Sequence, residues 1–327
     1  MIKLGNLHHG GIMPNYKCTA ACRHCLYACS MTRTGGYMSP EDMDAVCTTL
    51  TEGGCHSVHI GGGEPFLDFE GLLTLIKTAT GHGIAVEYIE TNGYWANNEA
   101  KVKSRLEALT VAGADTLCIS VDPFHAEYVP YAAPLRLAEW CKRYGFGYFL
   151  WQERFLPMLK NLPGDKSHNR AALEKGISKD YIRKTALAYG LSYGGRAVNI
   201  AEEYFPPKPI TEVTKSKPCT GLLSTNHFHV DMYGRFIPPG CTGIAIPLEE
   251  GIKGIPAGKY PAFEALLNGG VAALLEYAKN RGFAPNPEGY ATDCVLCFYI
   301  RQWLSQQGGC PELDMEHYEE SLMYYRD

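Results

Sequence analysis

The chain has 327 residues, of which 46% are hydrophobic and 20% charged, and its formal net charge at pH 7 is −5. This length and composition suit a globular protein with one large and one smaller domain, or with a single α/β barrel. The acidic balance without a long basic run argues against nucleic acid as the main partner, and no apolar run reaches the roughly 18 residues that a membrane span needs.

Short apolar runs alternate with helical patterns over roughly the first 200 residues. The predicted strands are 12–17, 56–60, 84–90, 115–121, 147–152 and 197–201. The predicted helices between them begin at Ser39-Pro40, Phe69, Asn98, Pro134 and Ser178. This alternation predicts a parallel sheet with right-handed crossovers, either an open doubly wound sheet or a partial β/α barrel. In both architectures, ligands bind at the carboxyl ends of the strands.

The composition changes near Phe205, where the strand–helix alternation stops. Four prolines follow between residues 206 and 218, and they interrupt regular structure. We therefore expect one domain over residues 1–205 and a smaller one over 206–327. The second domain is predicted to contain a β-hairpin with arms 227–230 and 235–237, whose histidines face its surface, and a helix over 262–281.

The cysteines are numerous and unevenly distributed. There are 13 of them, and the N-terminal stretch lacks the apolar segment of a signal peptide, so we expect a reducing, cytoplasmic location without disulfides. Four cysteines in or beside apolar stretches are expected to be small buried thiols: Cys47, Cys55, Cys118 and Cys141.

The sharpest motif is Cys18-Thr-Ala-Ala-Cys22-Arg-His-Cys25. Three thiolates on one short loop can bind three irons of a cubane cluster and leave the fourth iron open. A fully ligated ferredoxin cluster uses a different spacing, followed by proline. Closely spaced cysteines also bind zinc, so the motif by itself leaves both metals open.

A second motif follows the strand predicted at 56–60. It reads Gly61-Gly62-Gly63-Glu64-Pro65, and glycines at the carboxyl end of a strand allow a ligand to approach the backbone closely. Glu64 adds a negative charge that suits an ammonium group. A tight structural turn is the alternative.

Together these motifs resemble the radical S-adenosylmethionine (SAM) superfamily over roughly residues 12–205. The residues that carry the resemblance are the C-x3-C-x2-C motif with His24 before its last cysteine, Gly62-Gly63-Glu64, Thr91-Asn92-Gly93, Ser120-Val121-Asp122 and Gly195-Arg196-Ala197. The resemblance implies an α/β fold, a partial (β/α)6 TIM-like barrel, with a 4Fe–4S cluster on Cys18, Cys22 and Cys25.

The resemblance also implies how the cofactor is held. The open iron would bind the amino and carboxylate groups of SAM. Gly62, Gly63 and Glu64 would hold the methionine amino group, and His24 would contact the adenine. Asn92 is also expected to bind the cofactor, and Ser120 and Asp122 lie where the ribose is usually held. Electron transfer from the reduced cluster would yield a 5′-deoxyadenosyl radical.

The C-terminal cysteines resemble the auxiliary-cluster extension called a twitch domain, a shortened SPASM domain. This implies a second 4Fe–4S cluster on Cys219, Cys241, Cys294 and Cys297. An alternative set, Cys294, Cys297 and Cys310, would leave one iron open for substrate. Unmetallated thiols or zinc are the remaining alternatives.

Four further residues are candidates for catalysis. Cys29 lies four residues beyond the cluster loop, His125 follows the fourth predicted strand, and Glu153 and Arg154 follow the fifth. Charged residues at strand ends of a barrel often face substrate, which is the reason for Glu153 and Arg154. His125 could face the same site, and Cys29 is a candidate redox group or hydrogen donor, with simple packing as its alternative.

The resemblance leaves the reaction open. It favours modification of a peptide or protein side chain, with an external electron donor such as ferredoxin or flavodoxin. Oxidation or rearrangement of a small molecule, with the auxiliary cluster as electron acceptor, is the alternative. A non-catalytic iron–sulfur or zinc scaffold is more distant.

Overall fold

The structure is a computed structural model that describes residues 1–215 and 217–323. These residues form an eight-stranded sheet with helices packed against it. The strands are β1 (Gly10–Met13), β2 (Ser57–Ile60), β3 (Ala85–Thr91), β4 (Thr116–Ser120), β5 (Gly147–Trp151), β6 (Phe228–Asp231), β7 (Arg235–Ile237) and β8 (Ile246–Pro247). The first-half helices are α1 (Pro40–Glu52), α2 (Phe69–Gly81), α3 (Glu99–Ala112), α4 (Ala132–Tyr144), α5 (Leu156–Leu159) and α6 (Arg170–Gly176). The others are α7 (Tyr181–Tyr189), α8 (Ala197–Tyr204), α9 (Ile210–Val213), α10 (Leu248–Lys253), α11 (Pro261–Lys279), α12 (Asp293–Gln307) and α13 (Met315–Met323).

The strand order is β5-β4-β3-β2-β1-β6-β7-β8. The six strands from β5 to β6 are parallel, and the pairs β6–β7 and β7–β8 are antiparallel. The α/β class and the parallel sheet are confirmed. The sheet stays open, because β5 and β8 form its two edges within the described residues, so the carboxyl ends of β1–β4 meet along one accessible rim.

The sixth predicted strand, at residues 197–201, is wrong, because these residues begin helix α8. Short apolar runs fit a buried strand or a helix equally well, and the buried positions of α8 (197–201) are followed by exposed glutamates that complete a helical face. The sixth parallel strand is β6 instead, which pairs with β1 in the register Gly10↔Phe228. The predicted hairpin therefore forms as β6–β7 but joins the main sheet, and the division at residue 205 stays a prediction.

Local signals explain where the helices begin. The Ser39 side chain caps α1 by accepting from the Asp42 backbone N–H, with Pro40 in the first helical position. Asp68 and Asn98 cap α2 and α3 in the same way. Such side-chain acceptors satisfy backbone N–H groups that a helix start leaves unpaired, so each helix begins close to the predicted residue.

Three apolar cores lie among the described residues. The largest lies between the sheet and α1–α4, and it includes three of the four cysteines predicted as buried thiols, Cys47, Cys55 and Cys141; the fourth, Cys118, is 4% exposed. A second core joins α8, α11, α12 and α13, and a third joins α5, α6 and α7 beside the cysteine loop. Among the described residues, no helix is both long enough and apolar enough to cross a membrane.

Candidate functional site

A cavity of about 110 Å³ lies at the carboxyl ends of β1–β4. The loop after β1 carries the three motif cysteines into its wall, and the turns after β2, β3 and β4 close it. Its lining is Cys18, Ala20, Cys22, His24, Cys25, Cys29, Gly62, Gly63, Glu90, Thr91, Asn92, Ser120 and His125. The structure thus brings most of the sequence-predicted site residues to one cavity, hereafter the cluster cavity.

Arg196 stabilises the conformation of the cysteine loop through hydrogen bonds to its backbone carbonyls. Its Nε donates to the carbonyl oxygen of Cys22 at 2.9 Å and its Nη2 donates to that of Cys29. Its backbone N–H donates to the carbonyl of Cys25 at 3.0 Å. Arg196 is buried immediately before α8, so this helix fixes three loop carbonyls. The sequence motif included Arg196 but gave no hint of this contact.

The thiols differ in their electrostatic surroundings. A hydrogen bond from the Cys29 thiol holds the pKa of Cys25 well below its ordinary value. Burial raises the pKa of Cys18 and of Cys22, and Asn92 Nδ2 lies 3.7 Å from Cys18 Sγ. Cys25 therefore ionises first, and the negative charge of bound thiolates would have donors nearby. The catalytic role of Cys29 stays a prediction, but its position beside Cys25 is clear.

The glycine-rich turn packs directly against the cysteine loop. Gly63 N–H donates to the Asn15 carbonyl and Glu64 N–H to the Lys17 carbonyl. A Cβ at Gly63 would lie 2.1 Å from the Lys17 oxygen, and Gly62 has a φ of +102°. Only glycine fits such a close approach and such a backbone angle, so the turn presents bare backbone to the cavity.

Glu64 lies behind the cavity wall. Its carboxylate is fully buried and accepts from Phe66 N–H, Thr91 Oγ1 and Asn92 N–H at 2.8–3.1 Å. Burial raises its pKa to about 7 in spite of these bonds. Its contacts hold the Thr91–Asn92 segment in place, and its contact with SAM stays a prediction.

Glu90 is the carboxylate in the wall itself, and the sequence reasoning missed it. Although its side chain is 41% exposed, the protein atoms packed around its carboxylate partly desolvate it, and this effect together with Glu64 raises its pKa to about 7. A charged residue at the carboxyl end of a predicted parallel strand was the signal that could have identified it.

The turn after β4 holds a buried ion pair. His125 Nδ1 lies 2.7 Å from Asp122 Oδ2, and Asp122 also accepts from the backbone N–H groups of Phe124 and His125. Burial opposes the charge on both side chains, but their attraction raises the pKa of His125 well above its usual value and lowers that of Asp122. His24 packs on Phe124 at 4.9 Å between ring centroids, and burial lowers its pKa to about 4.

A second cavity of about 450 Å³ adjoins the first and shares His24, Cys25 and Glu90 with it. Aromatic and histidine side chains form much of its remaining wall, namely Tyr27, Trp151, Tyr189, His227 and His229. Glu153 and Arg154 lie in the exposed 3-10 turn after β5 and line neither cavity. Their catalytic role stays a prediction without support from this geometry.

Three C-terminal cysteines, Cys219, Cys241 and Cys294, interact electrostatically with Cys297. Burial is the main cause of the raised pKa of Cys219, of Cys241 and of Cys294, and interaction with Cys297 adds to it in each case. Cys310 has a different contact, with its Sγ 3.8 Å from Tyr277 Oη.

A buried cation faces this cysteine group. The Arg301 guanidinium donates to the Thr242 carbonyl at 2.7 Å and to Tyr318 Oη at 3.1 Å. Cys297 and Cys241 help to raise its pKa against the effect of burial. A buried guanidinium beside several thiols suits a negatively charged occupant.

Part of this chain is similar to known proteins. Residues 12–151 match the model of the radical SAM superfamily. A putative peptide biosynthesis protein of Bacillus subtilis, YydG, is 25% identical over 128 residues, which is 39% of this chain and 40% of that protein. The aligned part therefore spans less than half of that relative.

Solved structures of similar outline include anSMEcpe with bound AdoMet, at 15% identity over 75% of this chain and 79% of that one, with a TM-score of 0.44. Another is Streptococcus suis SuiB bound to its precursor peptide SuiA, at 14% identity over 90% and 76% of the two chains, with a TM-score of 0.39. The part of the chain that matches the radical SAM superfamily model, residues 12–151, includes the three-cysteine motif and the glycine-rich turn.

Proposed function

We propose that the protein reductively cleaves SAM and uses the resulting radical to modify a side chain of a peptide or protein. The observation that carries this proposal is the pair of adjoining cavities. Cys18, Cys22 and Cys25 share one cavity with the bare backbone of Gly62 and Gly63, and that cavity shares walls with a larger one.

The residues present fit the two cofactors that the family implies. Three thiols on one loop suit a 4Fe–4S cluster with one open iron. The proposed SAM contacts are Gly62, Gly63, Glu64, His24, Asn92, Ser120 and Asp122. When bound, the reduced cluster and SAM supply a 5′-deoxyadenosyl radical that abstracts a substrate hydrogen atom.

The chain's own residues would then orient and shield the reacting groups. Asn92 reaches both Cys18 Sγ and Thr19 Oγ1, so it ties the turn after β3 to the cysteine loop. The His24 ring, packed on Phe124, offers an apolar face between the two cavities. Such packing keeps water away from reactive species, which limits side reactions.

Two observations favour a peptide as the substrate. The aligned relative is named a putative peptide biosynthesis protein. In addition, β5 is an edge strand whose exposed aromatic side chains include Trp151, a residue of the second cavity. An extended peptide can pair with an open strand edge and gain main-chain hydrogen bonds. A small-molecule substrate remains the second candidate, since the second cavity has the size of a small-molecule site.

We further propose a second 4Fe–4S cluster on Cys219, Cys241, Cys294 and Cys297. The first three cysteines each interact electrostatically with Cys297, and the Arg301 guanidinium interacts with Cys241 and Cys297; both observations support this proposal. Four thiolates saturate a cubane, so this cluster would conduct electrons and would not bind substrate.

The test is formation of 5′-deoxyadenosine from SAM by the anaerobically reconstituted protein, with ferredoxin or flavodoxin as the electron donor. The triple variant Cys18→Ala, Cys22→Ala, Cys25→Ala should abolish the product, and Cys47→Ala, a buried thiol in α1, serves as the matched control. Transfer of deuterium from a labelled peptide into 5′-deoxyadenosine would support the peptide substrate. Wild-type protein that binds zinc and makes no 5′-deoxyadenosine would contradict the proposal.

A further inference from the structure

Four histidines from distant parts of the sequence meet beside the second cavity. His9 precedes β1, His59 lies in β2, and His227 and His229 belong to the segment that forms β6. We call this set the histidine cluster. Sequence reasoning placed the histidines of the hairpin on its surface, but His229 is buried, and His59 has no exposed surface at all.

Three members of the cluster converge with their ring nitrogens. One ligand nitrogen each from His9, His59 and His227 lies within 4.8 Å of the other two. The closest pair, His59 Nδ1 and His9 Nε2, is 3.2 Å apart. Nitrogens bound to one tetrahedral ion at about 2.0–2.1 Å stand about 3.3–3.4 Å apart. Because His227 is exposed, a small movement of its side chain brings the third nitrogen to that distance.

In His9 and His59, the ring nitrogen that faces away from the proposed ion already has a partner. His9 Nδ1 lies 3.4 Å from Glu87 Oε1, and His59 Nε2 lies 3.0 Å from His229 Nε2. The chain continues from His229 Nδ1 to Tyr27 Oη at 2.8 Å. When His9 Nδ1 and His59 Nε2 carry the ring hydrogen and donate it to these partners, His9 Nε2 and His59 Nδ1 each keep a free lone pair. A carboxylate or another acceptor behind a ligating imidazole is the usual second layer of a metal site.

The backbone below the cluster leaves room for these rings. A Cβ at Gly11 would lie 2.4 Å from His59 Nε2 and 2.4 Å from His229 Cδ2. Only a glycine in β1 therefore lets both imidazoles occupy this space, and the sheet is shaped around the cluster.

We propose that His9, His59 and His227 bind a divalent transition-metal ion such as Zn²⁺, separately from either iron–sulfur cluster. Neutral imidazoles suit zinc and similar ions. Three protein ligands leave a fourth position, as in catalytic zinc sites. Because His227 and His229 also line the second cavity, that position is open to a carbonyl or carboxylate oxygen of the substrate.

The test uses protein whose clusters have been reconstituted, so that the cysteines are occupied. After dialysis against Zn²⁺, we expect one zinc per chain with an unchanged iron content. Zinc-edge X-ray absorption should show nitrogen or oxygen neighbours at about 2.0 Å, whereas cysteine-bound zinc would show sulfur at about 2.3 Å.

Variants locate the ion. His227→Ala changes an exposed residue and should abolish stoichiometric zinc binding without loss of iron. Glu87→Gln should weaken zinc binding by about 10- to 100-fold, as for other second-layer acceptors. His8→Ala, an exposed neighbour of His9, is the control and should bind like the wild type. Sulfur neighbours, no bound zinc, or full binding by His227→Ala would each overturn the proposal and leave the cluster as a hydrogen-bonded chain only.

Discussion

Two carboxylates near the cluster cavity have similar pKa values and different surroundings. Burial raises the pKa of both Glu64 and Glu90 to about 7. Glu64 is fully enclosed by three protein donors, whereas Glu90 lies in the wall shared by both cavities. A carboxylate must be ionised to bind an ammonium group, so either residue would make SAM affinity fall as the pH drops through about 7.

Substitutions of Glu64 and Glu90 distinguish which of the two carboxylates binds SAM. We expect Glu64→Gln to weaken SAM binding by about 10- to 150-fold while both clusters stay intact, because one charge-assisted hydrogen bond contributes about 1.5–3 kcal/mol. The variant should also lose the dependence of affinity on pH near 7. Calorimetric titration of SAM at several pH values measures both effects.

Glu90→Gln is the matched control for that experiment. If it alone removes the affinity and its pH dependence, Glu90 holds the ammonium group and Glu64 only supports the Thr91–Asn92 segment through its hydrogen bonds. Unchanged behaviour in both variants would assign the glycine-rich turn a purely structural role.

At the scale of elements, α12 and the hairpin segment together form the auxiliary cysteine group. Cys294 and Cys297 lie in the first turns of α12, and Cys241 follows β7. Cys310 lies beyond the end of α12, beside Tyr277 of α11. This contact favours the ligand set without Cys310, and the choice between the two sets that the sequence left open stays a prediction.

Iron analysis tests which of the two ligand sets binds a cluster. Reconstituted protein should contain about eight irons per chain, from two cubane clusters, and the triple variant of Cys18, Cys22 and Cys25 should contain about half as many. Cys219→Ala should lower the iron content and change the cluster spectrum, whereas Cys310→Ala should change neither. The reverse pattern would make Cys310 a ligand and leave an iron of the auxiliary cluster open to substrate.

Elements with local signals were predictable, and elements defined by distant partners were not. Ser39, Asp68 and Asn98 mark helix starts through side chains that act within a few residues. By contrast, the apolar run at 197–201 fits a strand or a helix, and the contact of Arg196 with a loop far away in sequence could not be inferred from it. The cysteines and glycines of the site were predictable because their spacing is local, whereas the histidine cluster depends on the pairing of β1 with β2 and β6.

For the molecule as a whole, the two predicted domains are interlocked. β6, from beyond residue 205, pairs with β1 and adds Phe228 and Val230 to the largest core. Glu320 of α13 accepts from Ser30 and Thr32 just after the cysteine loop. The C-terminal part therefore completes the sheet of the N-terminal part and contacts the segment that follows its cysteine loop.

This interlocking predicts that residues 1–205 do not fold stably alone. Loss of buried Phe228 and Val230 removes about 3–6 kcal/mol of apolar stabilisation, a large share of the roughly 5–15 kcal/mol by which domains are stable. We expect the full chain to unfold in one cooperative thermal transition and the fragment to show none. Two separate transitions in the full chain, or a cooperative one in the fragment, would show that the parts are independent.

The contacts of Arg196 also have a consequence for biosynthesis. This residue lies 174 positions after Cys22, whose carbonyl it binds. At a translation rate of about 5–20 residues per second, the cysteine loop emerges roughly 9–35 s before the side chain that shapes it. During that interval the three thiols lack their final geometry and are accessible to oxidants and to the cell's cluster-assembly proteins. We therefore expect a bound cluster to reach its final geometry only after Arg196 has emerged, and brief exposure to oxygen to damage nascent chains more than finished protein.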